Sequence, residues 1–210
     1  MCKTLVVLGL SMVNQLKSLA DGFASLLSTV LSHPLVSGAA VLMMALGNPE
    51  GGSDPIAPSA VALGVLFISV LPVTAVVYHA WRGNVDLNVS SREKRPLFFV
   101  PALLSYVVAS LLFWFLSLRP LYIVSVCYVA VTSAVFAFTL RWKISIHTAA
   151  VAGPVTLLAF SFGPMMLPLY LLVAALFWAR VHLHAHSATQ AAMGVLVSMA
   201  VTSVVCLRLC

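Results

Sequence analysis

Carboxylates are the scarcest chemistry in this sequence. Five Asp and Glu stand against 11 Lys and Arg in 210 residues, and charged residues of both signs make up only 8%. A soluble domain carries roughly 25% charged residues, so a surface kept in water is excluded. Five scattered acids supply no paired aspartate-rich motifs for magnesium, which takes carboxylate oxygens, and that argues against a membrane prenyltransferase. No carboxylate stands mid-span to mark an ion or proton path, so a transporter lacks its usual signature. The four cysteines, Cys2, Cys127, Cys206 and Cys210, include no CxxC pair. Neither a disulfide framework nor a zinc site is indicated. Long-period repeats, low-complexity tracts and polar stretches long enough for a second domain are all missing.

What the chain has instead is apolar surface: 62% of its residues are hydrophobic and the mean hydropathy is +1.10. A spanning helix needs roughly 20 mainly apolar residues. Seven segments approach that length, at about 23–46, 58–81, 97–118, 120–140, 146–162, 164–180 and 188–207, the fifth and sixth being short. Pro and Gly punctuate them at Gly47-Asn48-Pro49, Arg119-Pro120 and Gly163-Pro164. Backbone groups in lipid must bond internally, so helices are the reading. The expectation is an all-α, polytopic bundle of six to seven transmembrane helices over residues 23–210. Residues 1–22, where Asn14, Gln15, Lys17 and Asp21 interrupt the apolar run, read as an amphipathic interfacial segment or, alternatively, as an extension of the first span. With the basic residues confined to short loops, the net charge of +6 points to lipid headgroups or an anionic substrate, and not to nucleic acid.

The polar residues fall in three clusters: 83–96 (GNVDLNVSSREKRP), 141–147 (RWKISIH) and 180–186 (RVHLHAH). Two spans separate the first from the second, and two more separate the second from the third. An even number of crossings returns the chain to the same face, so all three converge on one side. Together they bring Arg92, Lys94, Arg95, Arg141, Lys143 and Arg180 with His147 and His186, against Asp86 and Glu93. Guanidinium forks match phosphate oxygens and lysine adds a point charge. Histidine exchanges protons or attacks phosphorus near neutral pH. A site rich in cations and histidine suits an anionic phosphate and calls for no metal or other cofactor.

These residues resemble the type 2 phosphatidic acid phosphatase superfamily over roughly residues 80–195. Its signatures are Lys-x6-Arg-Pro, Pro-Ser-Gly-His and Ser-Arg-x5-His-x3-Asp, in that order. Arg95-Pro96 ends the first, Ser145-Ile146-His147 is a reduced second, and Arg180-x5-His186 keeps the spacing of the third. The chain is a divergent member on this reading. Asn88 stands where the first lysine would be, Ile146 replaces a glycine, Ala179 a serine and Gln190 the aspartate. A glutamine carbonyl can still orient the histidine ring, but it adds no negative charge.

The resemblance implies a membrane phosphatase acting on a lipid phosphate or diphosphate, of phosphatidic acid or, by preference, isoprenoid type. His186 would attack phosphorus, His147 would protonate the leaving oxygen, and Gln190 would hold His186. Arg95 and Arg180, helped by Arg92, Lys94, Lys143 and Ser145, would bind the phosphoryl oxygens. A catalytically weak member that binds lipid phosphate or a partner helix is the rival reading. Arg92, Lys94 and Arg95 would equally serve as juxtamembrane charges that set topology, and Arg141 and Lys143 as headgroup anchors. His33 and His79 read as packing or interfacial residues, and Phe113-Trp114-Phe115 as lipid-facing bulk. The alternation of His182, His184 and His186 would place them on different faces of a helix, which argues against a metal site. Outside the three clusters, the motif face holds Lys3, Lys17 and Arg82, and the other face Arg119 and Arg208. That balance predicts a cell-membrane protein with its site on the cytoplasmic face.

Overall fold

In the computed structural model, the described residues are 2–47, 56–87, 89 and 91–210; the side chains of 2–14 and of Arg92 lie outside the description. The chain forms helices α1 (Cys2–Val30), α2 (His33–Leu46), α3 (Pro58–Val65), α4 (Leu71–Trp81), α5 (Pro96–Phe115), α6 (Arg119–Thr139), α7 (Ile146–Phe162), α8 (Tyr170–His182) and α9 (Ala188–Leu209). A π turn, Leu66–Val70, joins α3 to α4, and 3-10 turns at Arg92–Lys94 and Pro164–Leu169 precede α5 and α8. No strand occurs among the described residues. Five helices are long and apolar enough to cross a membrane, and six if the bent pair α1–α2 counts as one. The chain is therefore a multi-pass membrane protein by length and composition. At 17 residues α7 is shorter than any of these five spans.

The first span departs from the expected pattern. Instead of an interfacial segment followed by one helix over 23–46, α1 runs on to Val30 and the break falls at Leu31–Ser32, with a bend of 48°. Pro34 explains the position: it has no N–H to give Val30 O and its ring clashes with that carbonyl, so the helix breaks before it and Ser32, extended (φ −74°, ψ 155°), caps a new one. Proline shapes the second span too. Leu71 N–H bonds five residues back to Leu66 O, and continuing that π register would require an N–H from Pro72. Phe67 O is left over, and the Ser105 hydroxyl of α5 donates to it at 2.6 Å. A freed backbone carbonyl is thus satisfied by a neighbouring helix, as lipid demands.

The helices bury one another around Val41, Ile68, Phe113, Leu121, Val124 and Leu157. Phe113 is fully buried in this core, while Trp114 and Phe115 point outward. Only two of the three aromatic residues are therefore lipid-facing, because consecutive helix positions diverge by about 100°. Helices α7 and α9 approach most closely, and small residues permit it. A Cβ on Gly194 would collide with Ser145 O and the Thr148 hydroxyl, and one on Gly153 would come within 2.7 Å of Ser198 Oγ. Across this seam Thr148 Oγ1 donates to Ala191 O at 2.9 Å and Ser198 Oγ to Ala149 O at 2.7 Å. Helix α1 docks on α8 through Asp21 Oδ1 and His182 Nε2, 2.8 Å apart, with the His182 ring stacked on Trp178.

Candidate functional site

The three polar clusters meet at one end of the bundle, joined by hydrogen bonds. Arg95, at the start of α5, donates from Nε to Val89 O (3.1 Å) and from Nη1 to Ile144 O (3.0 Å). That ties the first cluster to the second. Ser145 N–H donates to Gln190 O at 3.0 Å, which ties the second to the first turn of α9, directly after the third. Arg95 is thus partly committed to holding loops, and its remaining N–H groups are what it can offer a ligand.

His186 is placed by the end of α8. Arg180 O accepts from both Ala185 N (3.1 Å) and His186 N (3.3 Å), while His184 takes φ 53°. Histidine visits that left-handed region more readily than most residues, and the turn reverses the chain so that His186 follows back over Arg180. Ser187 then starts α9 with a capping box: its hydroxyl accepts from Gln190 N, and Gln190 Oε1 accepts from Ser187 N, both at 3.2 Å. The same Oε1 lies 3.3 Å from His186 Nδ1. The Ser187 N–H identifies this atom as the amide oxygen, so Nδ1 must be the protonated ring nitrogen. The lone pair is left on Nε2.

The electrostatics are lopsided. Arg95 and Arg180 are 3% and 5% exposed, and the two guanidiniums act on each other. Burial pulls Arg95 below its ordinary pKa, Arg180 adds to this, and only Asp86, which is exposed, opposes it. Arg180 Nε is buried without a hydrogen-bond partner. Burial, followed by Arg95 and Arg180, pulls the His186 pKa down to about 4; the Gln190 hydrogen bond resists and Lys143 assists. His147, in the first turn of α7, lies within electrostatic reach of Arg180, His186 and Arg95. So His147, His186, Arg95, Arg180 and Lys143 share one region, with Gln190 supporting His186.

The remaining expected residues stand elsewhere. Ser145 is fully buried, and its hydroxyl accepts from Thr148 N at 3.4 Å as the cap of α7. In this arrangement it caps α7, and its backbone N–H is taken by Gln190 O of α9. Lys94 is exposed, with Nζ bonded to Asn84 O at 2.7 Å, which turns it toward its own loop. The Arg92 side chain and Asn88 lie outside the described residues. His182 is occupied with Asp21, so it does not join His186.

A cavity of about 510 Å³ opens beside the cluster, with Arg95 and His147 in its wall. Ligand pockets fall in the range of about 300–1,000 Å³. Arg180 and His186 are not in that wall, so a group entering along the cavity meets Arg95 and His147 first. The cavity continues between α2, α5, α6 and α7 to His33, Tyr106 and Tyr128. Along α5, Tyr106 lies roughly 16 Å below Arg95 at 1.5 Å per residue. His33 was read from sequence as packing or interfacial, and Tyr106 and Tyr128 drew no reading. An ionisable residue within an apolar run is itself a signal of function, and His33 inside 23–46 carried it.

No protein-family profile, curated protein or solved structure matches this chain.

Proposed function

We propose that this protein is a membrane-embedded phosphatase that hydrolyses a lipid phosphate or diphosphate through a phosphohistidine, on a core like that of type 2 phosphatidic acid phosphatases. The observation that carries the reading is Arg180, a buried guanidinium with an unpartnered Nε beside a second buried guanidinium and two histidines. A buried charge is costly until a counter-charge completes it, and a tetrahedral dianion matches such a cluster.

The chemistry follows from the ring geometry. His186 Nε2 attacks phosphorus as the bond to the leaving oxygen breaks, and His147, held in its protonated form by the negative charge of the bound phosphate, gives that oxygen its proton. The lipid alcohol, or the shorter lipid phosphate if the substrate is a diphosphate, departs. Water then attacks the phosphohistidine, His147 takes the water's proton, and inorganic phosphate leaves with His186 restored. Gln190 Oε1 holds the Nδ1–H throughout, and the arginines neutralise the equatorial oxygens in the transition state. The purified protein should release phosphate from dioctanoyl phosphatidic acid or farnesyl monophosphate, and EDTA should leave the rate intact. His186→Ala should abolish release. Activity lost to EDTA and restored by magnesium would refute this mechanism.

A second reading, a lipid-phosphate-binding protein without turnover, is favoured by two facts: Gln190 gives the histidine no negative charge, and His186 stays outside the cavity wall. Binding of both lipids with no phosphate release would establish it.

A further inference from the structure

The cavity beside Arg95 and His147 has a mouth and a floor. Its exposed wall residues, Thr29, Val77 and Leu87, form the mouth. Along α5 the wall runs from Arg95 to Tyr106 and stops there; the next core positions, Ala109 and Phe113, are fully buried and outside it. Along α6 it stops at Cys127 and Tyr128, and the deeper Val124 and Leu121 are again fully buried core.

Three rings hold that inner end. Tyr106 Oη and His33 Nε2 lie 2.9 Å apart, at hydrogen-bonding distance. The Tyr128 ring stands edge-on to His33 at 5.6 Å, and 5.3 Å from Tyr106. Each ring comes from a different helix, α2, α5 or α6, so together they close the space between those helices. Aromatic pairs at such spacings attract one another beyond their buried area. A chain pushed past them must part the ring contacts and the Tyr106–His33 pair, and it would meet packed core beyond.

The depth of this floor matches the membrane. Tyr106 lies roughly 16 Å along α5 from Arg95 at 1.5 Å per residue. The hydrocarbon core of a bilayer is about 30 Å thick, so the rings stand near its midplane, one leaflet down from the charged end.

We infer that His33, Tyr106 and Tyr128 form an aromatic stop that measures the tail of the bound lipid, admitting a chain of about one leaflet's depth and rejecting long polyprenyl chains. The inference rests on the reading of the Arg95–Arg180 end as the phosphate site, which fixes where the chain begins. It narrows the isoprenoid class to its short members and makes these three residues determinants of specificity far from the reacting atoms.

The test is a length series of alkylphosphonates, octyl, dodecyl and docosyl, whose carbon–phosphorus bond is not hydrolysed. Affinity is read by thermal-shift titration of the purified full chain in detergent, with ligand expressed as mole fraction in the micelle. The tail then leaves one apolar surrounding for another, so added methylenes favour neither state until they meet the stop. Octyl- and dodecylphosphonate should bind alike, and docosylphosphonate about tenfold more weakly, the scale of the parted ring contacts. Tyr106→Ala and Tyr128→Ala should each bring docosyl close to dodecyl. Ala102→Phe, one turn nearer Arg95 on the same wall, should move the drop to dodecyl and spare octyl. Equal wild-type affinity for dodecyl and docosyl overturns the inference, and so does a docosyl penalty unchanged in folded Tyr106 and Tyr128 variants. If those variants do not fold, the wild-type series and Ala102→Phe decide. The alcohols of the same lengths should show the same drop at lower affinity. Alcohols that bind as tightly as the phosphonates, with the drop intact, would remove the phosphate site and leave the stop standing; tighter phosphonates without a drop would do the reverse.

Discussion

Replacing Arg180 with methionine should make the empty protein more stable and the phosphate-loaded protein less so. The side chain is 5% exposed, its Nε has no partner, and Arg95 repels it. An unmade hydrogen bond at a buried donor costs about 1–3 kcal/mol. Exchanging buried charges for apolar groups of similar volume has stabilised other proteins by about 1–4 kcal/mol. We therefore expect the Arg180→Met variant to gain about 1–3 kcal/mol in the absence of phosphate. At roughly 2–4 °C per kcal/mol for a chain of this size, Tm should rise by about 2–12 °C. Saturating inorganic phosphate reverses the order. At about one thousand times its dissociation constant, a ligand adds about 4.1 kcal/mol to the protein that binds it, and the variant should lose most of this. The assay is thermal unfolding in detergent at fixed scan rate and pH, across a phosphate titration, for both proteins. A variant less stable than the wild type without phosphate, yet equally stabilised by it, would refute the reasoning. Arg180 would then be a structural arginine whose charge is compensated within the fold.

Three further outcomes follow from the same geometry. His186 must be unprotonated to attack, and its pKa is drawn down to about 4, so the acid limb of kcat/KM, which reports the free enzyme, should fall near pH 4. Gln190→Asp supplies the missing negative charge, stabilises the histidinium and should move that limb toward neutrality; an unmoved limb would show that His186 does not limit it. Ser105→Ala should destabilise the protein by about 1–3 kcal/mol by orphaning Phe67 O, and by less in a Pro72→Ala background, where residue 72 regains an N–H. A double-mutant cycle measures that coupling, and strict additivity would refute it. For orientation, a cysteine at Ser90, in a variant whose own four cysteines are replaced, should stay unlabelled by an impermeant reagent until cells are permeabilised. Labelling of intact cells would place the site outside.

Much of the site was legible because hydropathy and parity are one-dimensional properties. Where the apolar runs lie decides where helices form, since lipid leaves the backbone no other partner. Counting crossings then brings residues 95, 147, 180 and 186 to one end without any knowledge of packing. The spacing from His186 to Gln190 placed an amide near the ring, because the capping box turns the Gln190 side chain back over the start of α9, which His186 precedes. Other roles depended on which atoms lie opposite, and spacing does not record that. Arg95 looked like a free phosphate ligand, and two loop carbonyls occupy much of it. Ser145 looked like part of a phosphate motif, and the close approach of α9 at Gly194 made it a buried cap. The break at Leu31–Ser32 and the π turn before Pro72 follow from proline, but their registers were selected by neighbours able to satisfy the freed groups. His33, Tyr106 and Tyr128 stand 22 to 95 residues apart in sequence, so only the packing of α2, α5 and α6 could assemble them.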